Sequence, residues 1–86
     1  MSDISQTVLI TNKRGLHARA SAKFVTLASG LGAAVHVAKD SNEVVATSIM
    51  GLMMLGAAMG DSITIRSSGE GAEEAVRQLA ALVENK

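Results

Sequence analysis

The chain has 86 residues, 48% of them hydrophobic, with eight basic and eight acidic side chains and no net charge. That length offers enough apolar surface for one core rather than two, and the apolar fraction excludes a disordered chain. Cysteine, Trp and Tyr are absent and Phe occurs once, which excludes disulfide and thiolate chemistry and leaves Ala, Val, Ile, Leu and Met to fill the core.

Residues 6–11 alternate loosely around Val8 and Ile10 and predict a first strand. Asn12, Lys13, Arg14 and Gly15 form a polar turn. Ala20, Phe24, Leu27, Ala28 and Leu31 then recur at helical spacing and predict an amphipathic helix. Its end is predicted at Gly30, placed for a left-handed cap with Leu31 just after it. Residues 34–39 alternate again, with Val35 and Val37 on one face and His36 on the other. Asp40, Ser41 and Asn42 suit a hairpin turn, and 43–46 the returning strand. Residues 49–55 are a short apolar helix with Ser48 as a natural N-cap. Gly56 and Gly60 bracket a loop before a fourth strand over 61–67, with Ile63 and Ile65 inward. A last helix opens at 69–71 and buries Ala72, Ala75, Val76, Leu79, Leu82 and Val83. Glu73 and Glu74 lie in its first turn, where the helix dipole favours acids. The order is βαββαβα, which predicts an α+β open-faced sandwich.

No apolar run approaches the ~20 residues of a membrane span. Met1 to Gln6 carry an acid and no basic cluster, unlike a signal peptide. With no cysteine, the expected compartment is the cytoplasm.

The zero net charge conceals a segregation. From Ile4 to Lys39 there is no Asp or Glu, only Lys13, Arg14, Arg19, Lys23, Lys39 and both histidines, His17 and His36. The remainder holds Asp40, Glu43, Asp61, Glu70, Glu73, Glu74 and Glu84 against Arg66, Arg77 and Lys86. Chance clustering on a small surface is one reading; a local cationic face is the other. The two longer helices favour the second. The last begins with glutamates, whereas the first begins beside Lys13, Arg14, His17 and Arg19, at a macrodipole cost of roughly 0.3–1 kcal/mol for each positive group. A helix start with orphan N–H groups, positive side chains and no capping acid suits an anion, and phosphate above all. His17 adds a nucleophilic imidazole that can take a phosphoryl group covalently. Neighbouring positive charge favours the neutral ring that attack requires and stabilises incoming phosphoryl oxygens. A histidine near a helix start is also a common surface or capping residue, so the residues by themselves leave both readings open.

Gly15, Leu16, His17, Ala18, Arg19 and Ala20, followed by Ala22, Lys23, Phe24 and Val25, resemble the active-site segment of HPr, the histidine phosphocarrier of the bacterial phosphotransferase system. A second block, from Ser48 through Ile49, Met50, Gly51, Leu52, Met53, Met54 and Leu55 to Gly56, resembles that family's regulatory-serine helix, at the family's separation from the histidine. The likeness extends over nearly the whole chain. It implies one HPr-like phosphocarrier domain over 1–86, with a four-stranded antiparallel sheet and three helices on one face. It implies that His17 accepts phosphate on Nδ1 from phosphorylated enzyme I and donates it to an EIIA-type acceptor, with no cofactor. Arg19 would neutralise the phosphoryl group, the backbone N–H groups of Ala18 and Arg19 would bind it, and Ser48 would be the target of a serine kinase/phosphorylase. The family usually has Pro directly after the Arg, where this chain has Ala20; Ala is the better helix former, so the helix should persist.

A helix of about two turns cannot bury every face. Ile49, Met50, Met53 and Met54 are therefore candidates for a partner-docking patch, and Leu52 and Leu55 for the core. The alternative for the methionines is that they fill an aromatic-poor core. His36 reads as a solvated strand residue, and the histidines and acids lack metal-ligand spacing. Nucleic-acid binding is disfavoured by neutral charge and missing aromatics. A rival reading is a regulatory docking module controlled through Ser48 with His17 idle. Thr11, Asn12 and Lys13, with Met53, Met54 and Leu55, also resemble the nitrogen-regulatory branch of the family. A monomer is expected of a shuttle with an exposed site.

Overall fold

The computed structural model describes residues 3–84. Its elements run β1 (Asp3–Leu9), α1 (Ala18–Gly30), β2 (Ala34–Lys39), β3 (Asn42–Val45), α2 (Ile49–Met54), β4 (Ser62–Ser68) and α3 (Ala72–Glu84). The strands form one sheet in the order β1-β4-β2-β3, and every neighbouring pair is antiparallel. β4 sits in the middle because Ile63 and Ile65 are both buried there, while the edge strand β3 has no buried residue. The three helices cover one face of this sheet, as the βαββαβα order predicted. Phe24 of α1, Leu52 of α2 and Leu79 of α3 meet Val8, Val37, Ile63 and Ile65 from the sheet in one core. Each such large side chain removed from water supplies about 1.5–3 kcal/mol.

Several boundaries move from the sequence reading, for local reasons. β1 starts earlier and ends at Leu9. Ile10 leaves the ladder because its N–H donates to the Asp61 carbonyl and its carbonyl accepts from the Gly60 N–H, at 2.8 and 2.9 Å. The end of α1 is a correction: Gly30 is still helical, the C-cap is Leu31 in the right-handed region, and Gly32 takes the positive φ of 78°. The buried face of α1 is also turned. Ser21, Phe24 and Ala28 are buried, whereas Ala20, Leu27 and Leu31 are only half-buried. Ser21 is tolerated there because its hydroxyl donates to the Leu16 carbonyl at 3.2 Å. On α3, Ala80 is buried where Leu82 was expected, and Leu82 moves to the margin of the core.

α2 starts where its cap dictates. Ser48 is extended, and its Oγ accepts the Gly51 N–H at 3.0 Å, which meets one of the orphan donors of a helix start. Gly51 leaves little room for a side chain, since a Cβ would lie 3.1 Å from both the Ser48 Oγ and the Val44 Cβ. Leu52 and Leu55 are buried beneath the helix, as expected of them.

The segment between β1 and α1 lies against the loop 56–61. Leu16 N–H donates to the Ala57 carbonyl at 3.0 Å. Gly15 stands at φ +66°, and a Cβ there would be 2.3 Å from that same carbonyl oxygen. Gly15→Ala is therefore expected to cost about 2 kcal/mol or more in urea denaturation, from the left-handed backbone and the collision together. Gly60→Ala, whose φ of +95° faces open space, should cost only about 1 kcal/mol. Ser48→Ala should lose about 1 kcal/mol in the same measurement, the worth of its cap.

Candidate functional site

The lead-in to α1 is built by backbone polar groups. Asn12 closes a turn, its side-chain oxygen accepting the Arg14 N–H at 3.1 Å and its carbonyl the Gly15 N–H at 2.9 Å. Leu16 is then buried and held on Ala57. This puts His17 at the N-cap of α1, in extended conformation with φ −79° and ψ −178°. Its Nδ1 accepts the Arg19 N–H at 3.2 Å, and its carbonyl accepts the Ser21 N–H at 2.8 Å. The ring nitrogen thus does the work usually done by a Ser or Asp oxygen. A ring nitrogen accepts an N–H through its lone pair, so this bond turns the lone pair of Nδ1, rather than Nε2, toward the helix start.

His17 is half-buried and lines a cavity of about 230 Å³ with Asn12, Arg19, Ala20, Lys23 and Leu82. Ala18 is exposed at the first helical position. Ala20 occupies the first turn and α1 runs on unbroken through it, so the missing Pro leaves the helix intact. No acid lies in that first turn.

The charges divide accordingly. Lys39 pairs with Asp61, Arg66 with Asp3 and Glu43, and Arg77 with Glu74. Each Arg is held above, and Glu74 below, its ordinary pKa chiefly by its hydrogen-bonded partner. The Asp61 carboxyl is held below its ordinary value by the Ala58 N–H first and by Lys39 second. Among the described residues, Lys13, Arg14, Arg19 and Lys23 enter no ion pair. Of these, Arg19 and Lys23 line the cavity with His17 and are left to meet an external anion. His36 lies elsewhere, on β2 opposite Arg66 of β4 and Val45 of β3.

Ser48 and α2 are not part of this cavity, although α2 packs against α1. Ser48 is half-buried at its cap. Ile49, Met50, Met53 and Met54 are all exposed, Met54 to 79%. Met59 joins them in the following loop at 57%. The sequence reading missed Met59 because a loop methionine has no periodicity to betray its direction. Among the described residues, no group of His, Asp and Glu could hold a metal ion and no helix is long and apolar enough to cross a membrane.

The family described as PTS HPr component phosphorylation site matches residues 4–85. Phosphocarrier protein HPr of Cupriavidus necator is 41% identical over 83 residues, spanning 96% of this chain and 93% of its own length. Phosphocarrier protein NPr of Shewanella violacea is 38% identical over 86 residues, spanning 100% of this chain and 94% of its own. Among solved structures, the crystal structure of HPr from Bacillus anthracis matches with a TM-score of 0.93 at 40% identity, covering 98% of this chain and all of that one. With that fold shared strand for strand and the sequence match running from β1 to the end of α3, the chain belongs to the HPr family of phosphotransferase-system phosphocarriers.

Proposed function

We propose that the chain carries a phosphoryl group on His17, taking it from phosphorylated enzyme I and passing it to an EIIA-type acceptor. The observation that carries this reading is the placement of Nδ1: a ring nitrogen that accepts the Arg19 N–H at a helix start, beside cations that no acid neutralises. The Nδ1 lone pair forms the bond to phosphorus as the donor's bond to phosphorus breaks, and the electron pair of that bond stays with the donor. The Arg19 N–H, which bonds Nδ1 in the empty state, then has a phosphoryl oxygen within reach instead. With the Ala18 N–H it supplies donors aligned with the positive end of the helix dipole. The Arg19 guanidinium balances the added charge. The transfer needs no cofactor, and the chain is a relay component rather than a complete enzyme. Residues 1–86 act in this reading as one HPr-like domain, monomeric and cytoplasmic.

The exposed apolar surface of α2 favours a second role alongside the first. Ile49, Met50, Met53 and Met54 offer flexible thioethers and one branched side chain to partners of differing shape. Ser48 stands at the head of that patch as the site for a serine kinase/phosphorylase. A pure docking module regulated through Ser48 would use this surface while leaving His17 idle.

Intact mass after incubation with phosphoenolpyruvate and purified enzyme I separates the two. Wild type should gain one acid-labile phosphoryl group and His17→Ala none, while Arg19→Ala should gain it about tenfold more slowly. Equal labelling of wild type and His17→Ala, or none of either with active enzyme I, would favour the docking module.

A further inference from the structure

The loop 56–61 carries the site on its back, yet little of its own sequence can hold it still. It reads Gly-Ala-Ala-Met-Gly-Asp, and both glycines adopt positive φ, 65° and 95°. Of its side chains, Ala57 is buried while Ala58 and Met59 are exposed. Nonetheless it meets both ends of the segment that delivers His17. Gly60 and Asp61 share backbone hydrogen bonds with Ile10, just past the end of β1, and the Ala57 carbonyl accepts the Leu16 N–H, one residue before the imidazole. A displacement of this loop displaces His17.

What fixes the loop comes from a distant strand. Lys39, the last residue of β2, keeps only 21% of its side chain exposed. Its Nζ lies 3.5 Å from the Leu55 carbonyl, 3.3 Å from the Gly56 carbonyl and 3.4 Å from Asp61 Oδ2. Each distance is long for a single bond, but one ammonium carries three donors and all three acceptors converge on it. The two carbonyls also sit at the negative end of α2, where a cation is favoured. Asp61 in turn accepts the Ala58 N–H at 2.9 Å. The pair therefore grips the loop at its entrance, its middle and its exit.

We propose that Lys39 and Asp61 are positioning residues for the phosphoacceptor, clamping the loop 56–61 so that Leu16 and His17 are held for transfer. This rests on the reading of His17 given above. Neither residue lines the cavity around His17, so they act only through the loop. A misplacement of a fraction of an ångström lowers the turnover of an otherwise intact site, because in-line transfer depends on geometry.

The test compares Lys39→Met, Asp61→Asn and Lys39→Arg with wild type. Asp61→Asn keeps an acceptor for the Ala58 N–H and removes only the ion pair; Lys39→Arg keeps a cation able to reach the carbonyls. Each is assayed as a substrate of phosphorylated enzyme I, and the Leu16 and Arg19 amide resonances are followed by NMR. Lys39→Met and Asp61→Asn should lower kcat about threefold to tenfold with KM unchanged. Their Leu16 and Arg19 amides should shift, and Lys39→Arg should stay close to wild type in both respects. Wild-type kcat in both neutral variants, or a fall in kcat with unmoved amides, overturns the proposal. So does a loss that merely follows the unfolded fraction measured by thermal melting. Should wild type accept no phosphoryl group, it is the reading of His17 that fails, and the clamp is then judged on the amides: shifted, it stands; unmoved, it falls.

Discussion

The hydrogen bond from the Arg19 N–H to Nδ1 of His17 is the constraint around which the rest is arranged. A helix start exposes N–H groups that need an acceptor, and the common solution is an oxygen of Ser, Thr, Asp or Asn. A carboxylate would cap α1 and also complement its dipole, but it would repel any phosphate brought there. An imidazole nitrogen caps without charge. It can also surrender its N–H partner when a phosphoryl oxygen takes over that donor, so the same backbone groups serve the loaded and the empty site. The cost is a helix that begins without an acid in its first turn and among like charges. That cost is recovered downstream, where Phe24 and Ala28 enter the core and tie α1 to the sheet.

Such a cap can work only if the residue before it is immobile. The fold supplies this by setting two irregular segments against each other, with Ile10 and Leu16 of one bonded to Asp61, Gly60 and Ala57 of the other. Irregular backbone buried in this way must find its hydrogen-bond partners outside regular structure, and here each segment satisfies the other. Gly15 is the point of closest approach, the one residue whose missing Cβ lets the two backbones touch. The ionic pairs follow the same division of labour. Acids are spent on Lys39, Arg66 and Arg77, none of which lines the cavity around His17. The exposed pairs of Arg66 and Arg77 add little stability, but together the pairs leave Lys13, Arg14, Arg19 and Lys23 as the unpaired positive charge of the N-terminal segment among the described residues.

Local features of this arrangement were legible in the sequence. The periodicity of β2 placed it at its observed limits, the Ser48 cap located α2, and the acid-free run from Ile4 to Lys39 pointed to the start of α1. What failed to show depends on which of several competing local choices the packing selects, and on partners far along the chain. Gly30 looked like a helix terminator because a glycine before an apolar residue is a common stop, yet Gly32, two residues on, takes the left-handed turn. The apolar spacing chose Ala20, Leu27 and Leu31 for the buried face, whereas the Ser21 hydroxyl bonded to the Leu16 carbonyl goes with a helix rotated to bury Ser21. Neither the collision awaiting a side chain at Gly15 nor the convergence of Lys39 on Leu55, Gly56 and Asp61 has a periodic trace. Each joins residues more than fifteen positions apart.

The two helix starts invite a comparison that bears on regulation. At α1 the capping atom is the proposed phosphoacceptor; at α2 the Ser48 Oγ is both cap and proposed modification site. A phosphate on Ser48 would sit where a helix dipole favours negative charge, beside the Gly51 N–H that Ser48 already bonds. Folding therefore has little to lose from it. Docking has much more, because Ile49 and Met50 follow directly and are exposed. A partner that covers them would have to desolvate a phosphate dianion, which is costly unless a cation meets it. The apolar patch and the cap are adjacent in sequence and in space, so charge at one changes what can bind at the other without unfolding either. A switch of that kind acts on partner choice while leaving the geometry of His17 in place.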